Sequence, residues 1–391
     1  MINTADFKTK TIFEERPNGS VEGMWGVALD IGYSSVKGFS PTLSYCFPSY
    51  ARKINENMLA FGSPDKHEIL YKDNDTGELW RVGSSAIDII ASDESRDSVA
   101  SLYGRNRYFS PMFIVIARTG LGIGMMDNRY GSPNGKNLVV QTGLPPAYMK
   151  SDTPLIKEVL SGRHNFSVKI GKRAWQTFEF ELPEDNIYVM PQPMGTLLSI
   201  ATNREGYQVS EANNYFNSNM LILDPGFGTL DVFNIKNRLI DSYETFDDLG
   251  MKRVLQETVE EIFEKYHVEI SVPAMQKYLG RGTITVTNRK ERKTSEVLFS
   301  DILERANKKV CLEALQKIEN IYNNLFDHKY LVITGGAGAA WDGIIRDQYL
   351  NMETLRIISG NQNDNTLPCI FSNVRGYYIY LLGKLTKMAM W

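Results

Sequence analysis

At 391 residues the chain is too long for one small core, and two or three domains are expected. Apolar residues at 42% and charged residues at 23% are ordinary for a globular protein, and a formal charge of -3 gives no general electrostatic ground for binding nucleic acid. The three cysteines (Cys46, Cys311, Cys369) are scattered, with no CxxC pair and no His at ligand spacing, which excludes an evident zinc site or disulfide framework and suits a reducing cytoplasm. No apolar run approaches the roughly twenty residues of a membrane span, and the mixed charge of residues 1–24 is unlike a signal peptide.

Residues 1–24 are polar, with Pro17-Asn18-Gly19-Ser20 before the first apolar segment, and they read as a loose extension. Residues 25–30 form a short apolar run ending in an acid and a glycine. Residues 35–39 and 45–50 can return beside it as a β-meander. Segments 65–92 and 122–135, rich in Asp, Asn and Gly, read as loops of an inserted region, and 137–143 as a buried strand. A second opening of the same kind appears at 220–224, 229–235 and 239–245. Then the period changes. Met251, Val254, Leu255, Ile262, Phe263 and Tyr266 recur at helical spacing. A second helix within 295–325 carries Ile302, Leu303, Ala306, Val310, Leu315, Ile318, Ile321 and Tyr322 on one face, as core or as an oligomer seam. Residues 330–334 are one more buried strand.

Three glycine turns carry the chemistry. In Asp30-Ile31-Gly32-Tyr33-Ser34-Ser35-Val36-Lys37, backbone N–H groups of a tight turn can cradle phosphate oxygens, Gly32 permits close approach and Lys37 adds a point charge. Asp30 then faces a magnesium ion, which takes few protein carboxylates and keeps several waters. Alone, this segment reads equally as an ordinary hairpin with an acidic turn residue. Asp224-Pro225-Gly226-Phe227-Gly228-Thr229-Leu230-Asp231 repeats the pattern, so that two turns can clamp one polyphosphate, with Asp30, Asp224 and Asp231 acting on the metal mainly through water. Asp231 also reads as a solvent-facing hairpin residue. The third turn, Gly335-Gly336-Ala337-Gly338, follows the strand Leu331-Val332-Ile333-Thr334 and leaves room for a flat base and ribose. It matches neither the Walker A pattern nor GxGxxG.

In this order the three turns resemble those of the actin superfamily. The resemblance implies an α/β fold of two duplicated, ribonuclease H-like lobes around a central nucleotide cleft. It covers nearly the whole chain from Trp25. The implied division is a 1–24 extension, a first lobe at 25–205 with an inserted subdomain, a second at 206–370, and a C-terminal helix at 371–391 returning to the first lobe. Pro191-Gln192-Pro193 and residues 373–380 look like the two connections between lobes. Length and the Asn373-Val374-Arg375-Gly376-Tyr377-Tyr378 ending are most similar to bacterial and archaeal actin-like proteins of the plasmid-segregating ParM type.

The family implies hydrolysis of ATP, or GTP, with Mg2+. Asp30 and Asp224 orient the metal and its waters. Gly32, Tyr33, Ser34, Ser35 and Lys37, with Gly226, Phe227, Gly228 and Thr229, bind the phosphates. Gly335, Gly336, Ala337 and Gly338 bind adenosine, and Gln192 positions the attacking water. ParM-type proteins usually carry Glu at that place; an amide orients water but cannot accept its proton, which implies slow hydrolysis. Gln192 also reads as a hinge residue between two prolines. The partners implied are the protein itself, as a filament, and an adaptor bound to DNA, in the cytoplasm. Three other classes share the fold. A small-molecule kinase needs a substrate acid, and the sequence shows no second constellation. A heat-shock-type chaperone needs a peptide-binding domain, and the chain ends at Trp391. A membrane-tethered actin would use Leu381, Leu382, Leu385, Met388 and Trp391 with Lys384 and Lys387 as an amphipathic tail, unless this is a closing helix packed on the first lobe.

Overall fold

The computed structural model describes residues 2–55, 64–89, 105–288 and 292–389. The chain opens with β1 (Ile12–Glu15), β2 (Met24–Ile31), β3 (Ser35–Phe39) and β4 (Leu43–Pro48). The last three are the expected meander. β1 pairs antiparallel with β4, Ile12 opposite Cys46, so the stretch before residue 24 is not the loose extension its polar composition suggests. Its buried Arg16 meets the buried carboxylate of Asp364 at 2.8 Å. A buried cation is tolerated only with such a partner, so this pair pins the stretch in place.

β5 (Ala51–Ile54), β6 (Ile69–Asp73), β7 (Leu79–Val82) and the short α1 (Ser84–Ile87) follow. Segment 65–92, expected as loop, therefore holds two strands and a short helix, and its residues 90–92 lie outside the described residues. Both faces of these strands bury apolar residues, which blurs the alternation: Ile69, Tyr71 and Val82 join the first lobe's core while Leu70 and Leu79 pack with Ile54 on the other side, and Tyr71 stacks on Phe166 with ring centroids 5.5 Å apart.

Next come α2 (Pro111–Gly124), β8 (Asn137–Leu144), α3 (Met149–Leu160), β9 (Gly162–Ile170), β10 (Gln176–Leu182), β11 (Ile187–Pro191) and α4 (Gln192–Ala201). β10, β9, β6, β7 and β5 make a separate five-stranded sheet, the inserted subdomain. The main sheet runs β1-β4-β3-β2-β8-β11, with β2, β8 and β11 parallel.

The second half repeats the plan. After α5 (Ala212–Asn217) come β12 (Met220–Pro225), β13 (Leu230–Lys236), β14 (Leu239–Phe246), α6 (Met251–Tyr266), α7 (Val272–Leu279), the hairpin β15 (Thr283–Asn288) and β16 (Lys293–Leu298), then α8 (Ser300–Ile321), β17 (Tyr330–Ile333), α9 (Gly338–Gln348), β18 (Arg356–Ser359) and α10 (Ser372–Ala389). The sheet order β14-β13-β12-β17-β18 is that of β4-β3-β2-β8-β11, an antiparallel meander continued by two parallel strands. The helix expected within 295–325 begins only at Ser300, because Ser295 and Val297 pair with Val286 and Ile284 in the hairpin. Its stripe is core: Ile302, Leu303, Val310, Leu315 and Ile318 pack in one buried cluster with Val254, Leu255 and Trp341, leaving only Ile321 of the stripe exposed.

α10 returns to the first lobe. Leu381 and Leu385 are buried against Val139, and Leu382 packs beside Phe39 and Tyr378, so the leucines of the amphipathic tail are covered while Met388 stays exposed. Trp391 lies outside the described residues. No helix among the described residues is long and apolar enough to cross a membrane. Where α10 crosses α4, a Cβ on Gly376 would overlap the Gly195 carbonyl and one on Gly195 would overlap the Asn373 carbonyl. The two helices therefore meet backbone to backbone.

Candidate functional site at the junction of three glycine turns

The two acid-glycine turns close identically. Gly32 N–H donates to the Ser35 carbonyl at 3.0 Å, and Gly226 N–H donates to the Thr229 carbonyl at 2.8 Å. Asp30 and Asp224 end the central strands β2 and β12, and Tyr33 and Phe227 occupy matching positions at the tips. The turns also face each other closely: a Cβ on Gly228 would lie 3.0 Å from the Tyr33 ring. The third turn abuts the second. Gly335 has φ +76, and a Cβ there would overlap Asp224 Oδ1 while lying 2.9 Å from the Pro225 carbonyl, so glycine is required on both counts.

One cavity of about 270 Å³ collects these groups. Its walls include Asp30, Gly32, Tyr33, Ser34, Ser35 and Lys37 from the first turn, Asp224, Gly226, Phe227, Gly228, Thr229 and Asp231 from the second, Gly335, Gly336 and Ala337 from the third, and Gln192. Gly338 is the exception among the sequence-predicted residues. It starts α9 and packs toward Ile333, to whose Cγ2 a Cβ would come within 3.0 Å, rather than lining the cavity.

The charges are arranged in pairs. Lys37 Nζ donates to Asp30 Oδ2 at 3.0 Å, and both side chains are largely buried. Burial pulls the Lys37 ammonium down, but the charge of Asp30, with those of Cys46 and Asp224, overcomes it and holds the group above its ordinary value; it stays cationic. Burial pushes the Asp224 carboxyl up to about 6. The hydrogen bond from Asn373 opposes this and the charge of Asp30 adds to it. Asp231 is likewise pushed up to about 7 by burial, with the charge of Asp224 adding and the hydroxyl of Thr245, which donates at 2.6 Å, opposing. With 4% of its surface exposed, Asp231 is not the solvent-facing hairpin residue that the sequence alone allows.

Gln192 is the first residue of α4, and its amide Nε2 reaches Asp30 Oδ1 at 3.4 Å, so it sits over the first turn's acid. Three further groups complete the site. Asn373 Nδ2, from the first turn of α10, donates to Asp224 Oδ2 at 2.6 Å, and Thr196 of α4 donates to the same Asn373 side chain. Arg107 Nη2 donates to the Ile31 carbonyl at 3.0 Å, with its guanidinium 4.3 Å above the Tyr33 ring. Asp6, Phe7, Lys8, Thr9 and Lys10 form part of the cavity wall. Asn373 belongs to a segment with a sequence signal of its own. Arg107 and residues 6–10 have none, because only folding brings them here.

Among the described residues no group of three or more His, Cys, Asp or Glu side chains is placed to hold a metal directly. The acids are few, Asp30 on the first turn and Asp224 and Asp231 on the second, which fits a cation held through waters and substrate oxygens, as magnesium prefers, and does not fit an all-protein cage.

Residues 28–195 match the family model described as actin like proteins N terminal domain. Comparison with curated protein sequences gives no match. Among solved structures, a non-polymerisable quadruple mutant of pCBH ParM shares 19% identity at a TM-score of 0.70, covering 93% of this chain and 99% of that one. The subunit of a 15-stranded ParM filament from Clostridium botulinum shares 18% at 0.69, covering 92% and 99%. Ta0583, an archaeal actin homolog in complex with ADP, shares 14% at 0.59, covering 92% and 99%. The chain thus has the actin-like fold of ParM-type proteins, and residues 28–195 match the actin-like N-terminal domain.

Proposed function

We propose that the protein binds and hydrolyses ATP, or GTP, with Mg2+ in the cavity between its lobes, and that this cycle drives its assembly into filaments. The observation that carries the reading is the pair of equivalent turns, 30–37 and 224–231, facing each other across one cavity with an acid at the root of each. Such a pair can clamp a polyphosphate from both sides, and the third turn leaves space for the nucleoside. The cavity's size is near the lower end, about 300 Å³, of pockets that hold small ligands.

On this reading Lys37 and the backbone N–H groups of residues 32–35 and 226–229 hold the phosphates. Asp30, Asp224 and Asp231 orient the waters of a magnesium ion, which when bound neutralises phosphate charge. Gln192, above Asp30, holds the attacking water in line with the terminal phosphate without taking its proton. Residues 25–205 and 206–370 are the two lobes, and the α4–α10 crossing joins them.

Support for assembly comes from similar proteins described as filaments, the Clostridium botulinum ParM and Alp12, and support for nucleotide from Ta0583, described in complex with ADP. We extend the reading to a cytoplasmic role in moving or segregating plasmid DNA through an adaptor. The test is light scattering and negative-stain microscopy of purified protein with magnesium and triphosphate. Scattering should rise and filaments appear above a threshold concentration. Nucleotide binding without assembly at any concentration would favour a monomeric kinase.

A further inference from the structure

The N-terminal residues join the two lobes by a route the duplicated fold does not require. β1 is an edge strand of the first sheet. Just upstream the chain docks on the second lobe. The Thr4 hydroxyl donates to the Leu279 carbonyl at 2.7 Å, Thr9 N–H donates to Gln276 Oε1 at 3.0 Å, and Ile2 and Phe7 pack against the second lobe's core cluster. Between them Thr11 Oγ1 lies 2.9 Å from Ser84 Oγ of the inserted subdomain. Residues 6–10 line the cavity, and Thr9 borders a smaller pocket with Tyr33, Ser34 and Phe227, the tips of both turns.

We propose that residues 2–11 are a latch across the nucleotide cleft, which holds the lobes closed while docked on α7 and must undock before nucleotide leaves. This rests on the nucleotide-binding reading above. Chain geometry gives the latch its effect: Ile12 in the first sheet lies three positions after Thr9, held on the second lobe, and a fully extended chain spans at most about 3.3–3.6 Å per residue. With the latch docked, this edge of the cleft cannot open beyond about 10 Å. Among the described residues, docking shows two hydrogen bonds and two partly buried apolar side chains, a small contact set that can break within a turnover cycle.

The test uses the full-length protein loaded with magnesium and a fluorescent ATP analogue, below the concentration at which scattering rises, and chased with excess ATP. Deletion of residues 2–10 should speed release of the analogue on the order of tenfold, the scale of losing one or two hydrogen bonds and an apolar contact. Gln276→Ala and Phe7→Ala should each speed it severalfold and carry the test if the deletion does not fold. Release at the parent rate from the folded point variants would overturn the latch alone. A parent protein that retains no analogue would overturn the nucleotide reading, and the latch with it.

Discussion

Asp224 and Asp231 stand opposite each other across the β12–β13 ladder, at the register position that Asp30 and Lys37 occupy across β2–β3. The duplicated turns therefore differ in charge: the first places a cation against its acid, and the second places an acid against an acid. Unfolded, both second-turn carboxyls titrate near about 3.9; folded, they are pushed up to about 6 and about 7. Between those values the folded state holds more protons, so their contribution to stability is full at low pH and lost as pH rises from about 4 to 7. In divalent-free buffer, Asp231→Asn should be more stable than the parent at pH 8 by about 1–3 kcal/mol, with the gap closing toward pH 5. Urea denaturation across that range measures it, and a gap independent of pH would remove the charge from the explanation.

The two root acids should also separate by stability. Asp224→Ala should abolish phosphate release while the protein stays folded, because among the described residues no cation is bonded to Asp224, and its deletion leaves the Asn373 amide to find a new acceptor. Asp30→Ala should abolish release too, but it strands the buried Lys37, at a cost of about 3 kcal/mol. Equal melting temperatures for the two variants would contradict this difference, and normal turnover by folded Asp224→Ala would remove that acid from the mechanism.

Gln192→Ala should leave nucleotide binding nearly intact and slow hydrolysis by about ten- to a thousandfold, the range for losing one positioning group. Filaments of this variant should then disassemble more slowly than those of the parent. Hydrolysis at the parent rate would reduce Gln192 to a residue that starts α4, and would shift water positioning to Asp231 or another polar group.

At the helix crossing, Gly376→Ala places a methyl group on the Gly195 carbonyl. Neither helix can give way without separating the lobes, so destabilisation of about 3 kcal/mol or more is expected, with weaker nucleotide binding. Gly383, on the same helix with open space around its Cβ position, is the control. Gly383→Ala should be neutral or slightly stabilising in thermal melts.

The sequence by itself determined the two meanders, their acid-glycine turns and the third glycine turn, because each is local: a strand's apolar run, a turn's glycine and the acid between them lie within about eight residues. Fifteen of the sixteen residues named from those turns, together with Gln192, line one cavity, and Gly338 drops out only because α9 begins there. Tertiary structure decided the rest. The inserted sheet was hidden because its short strands bury apolar residues on both faces, Ile69 and Tyr71 on one and Leu70 on the other, which breaks the alternation. Asp231's burial depended on Thr245 and Asp224 meeting it across strand pairs. Arg107 and residues 6–10 reach the site from distant parts of the chain, so no spacing in the sequence could announce them. What reads as a polar extension becomes a sheet strand and a bridge between lobes, since its few apolar residues are divided among separate cores, Ile2 and Phe7 on one and Ile12 and Phe13 on others.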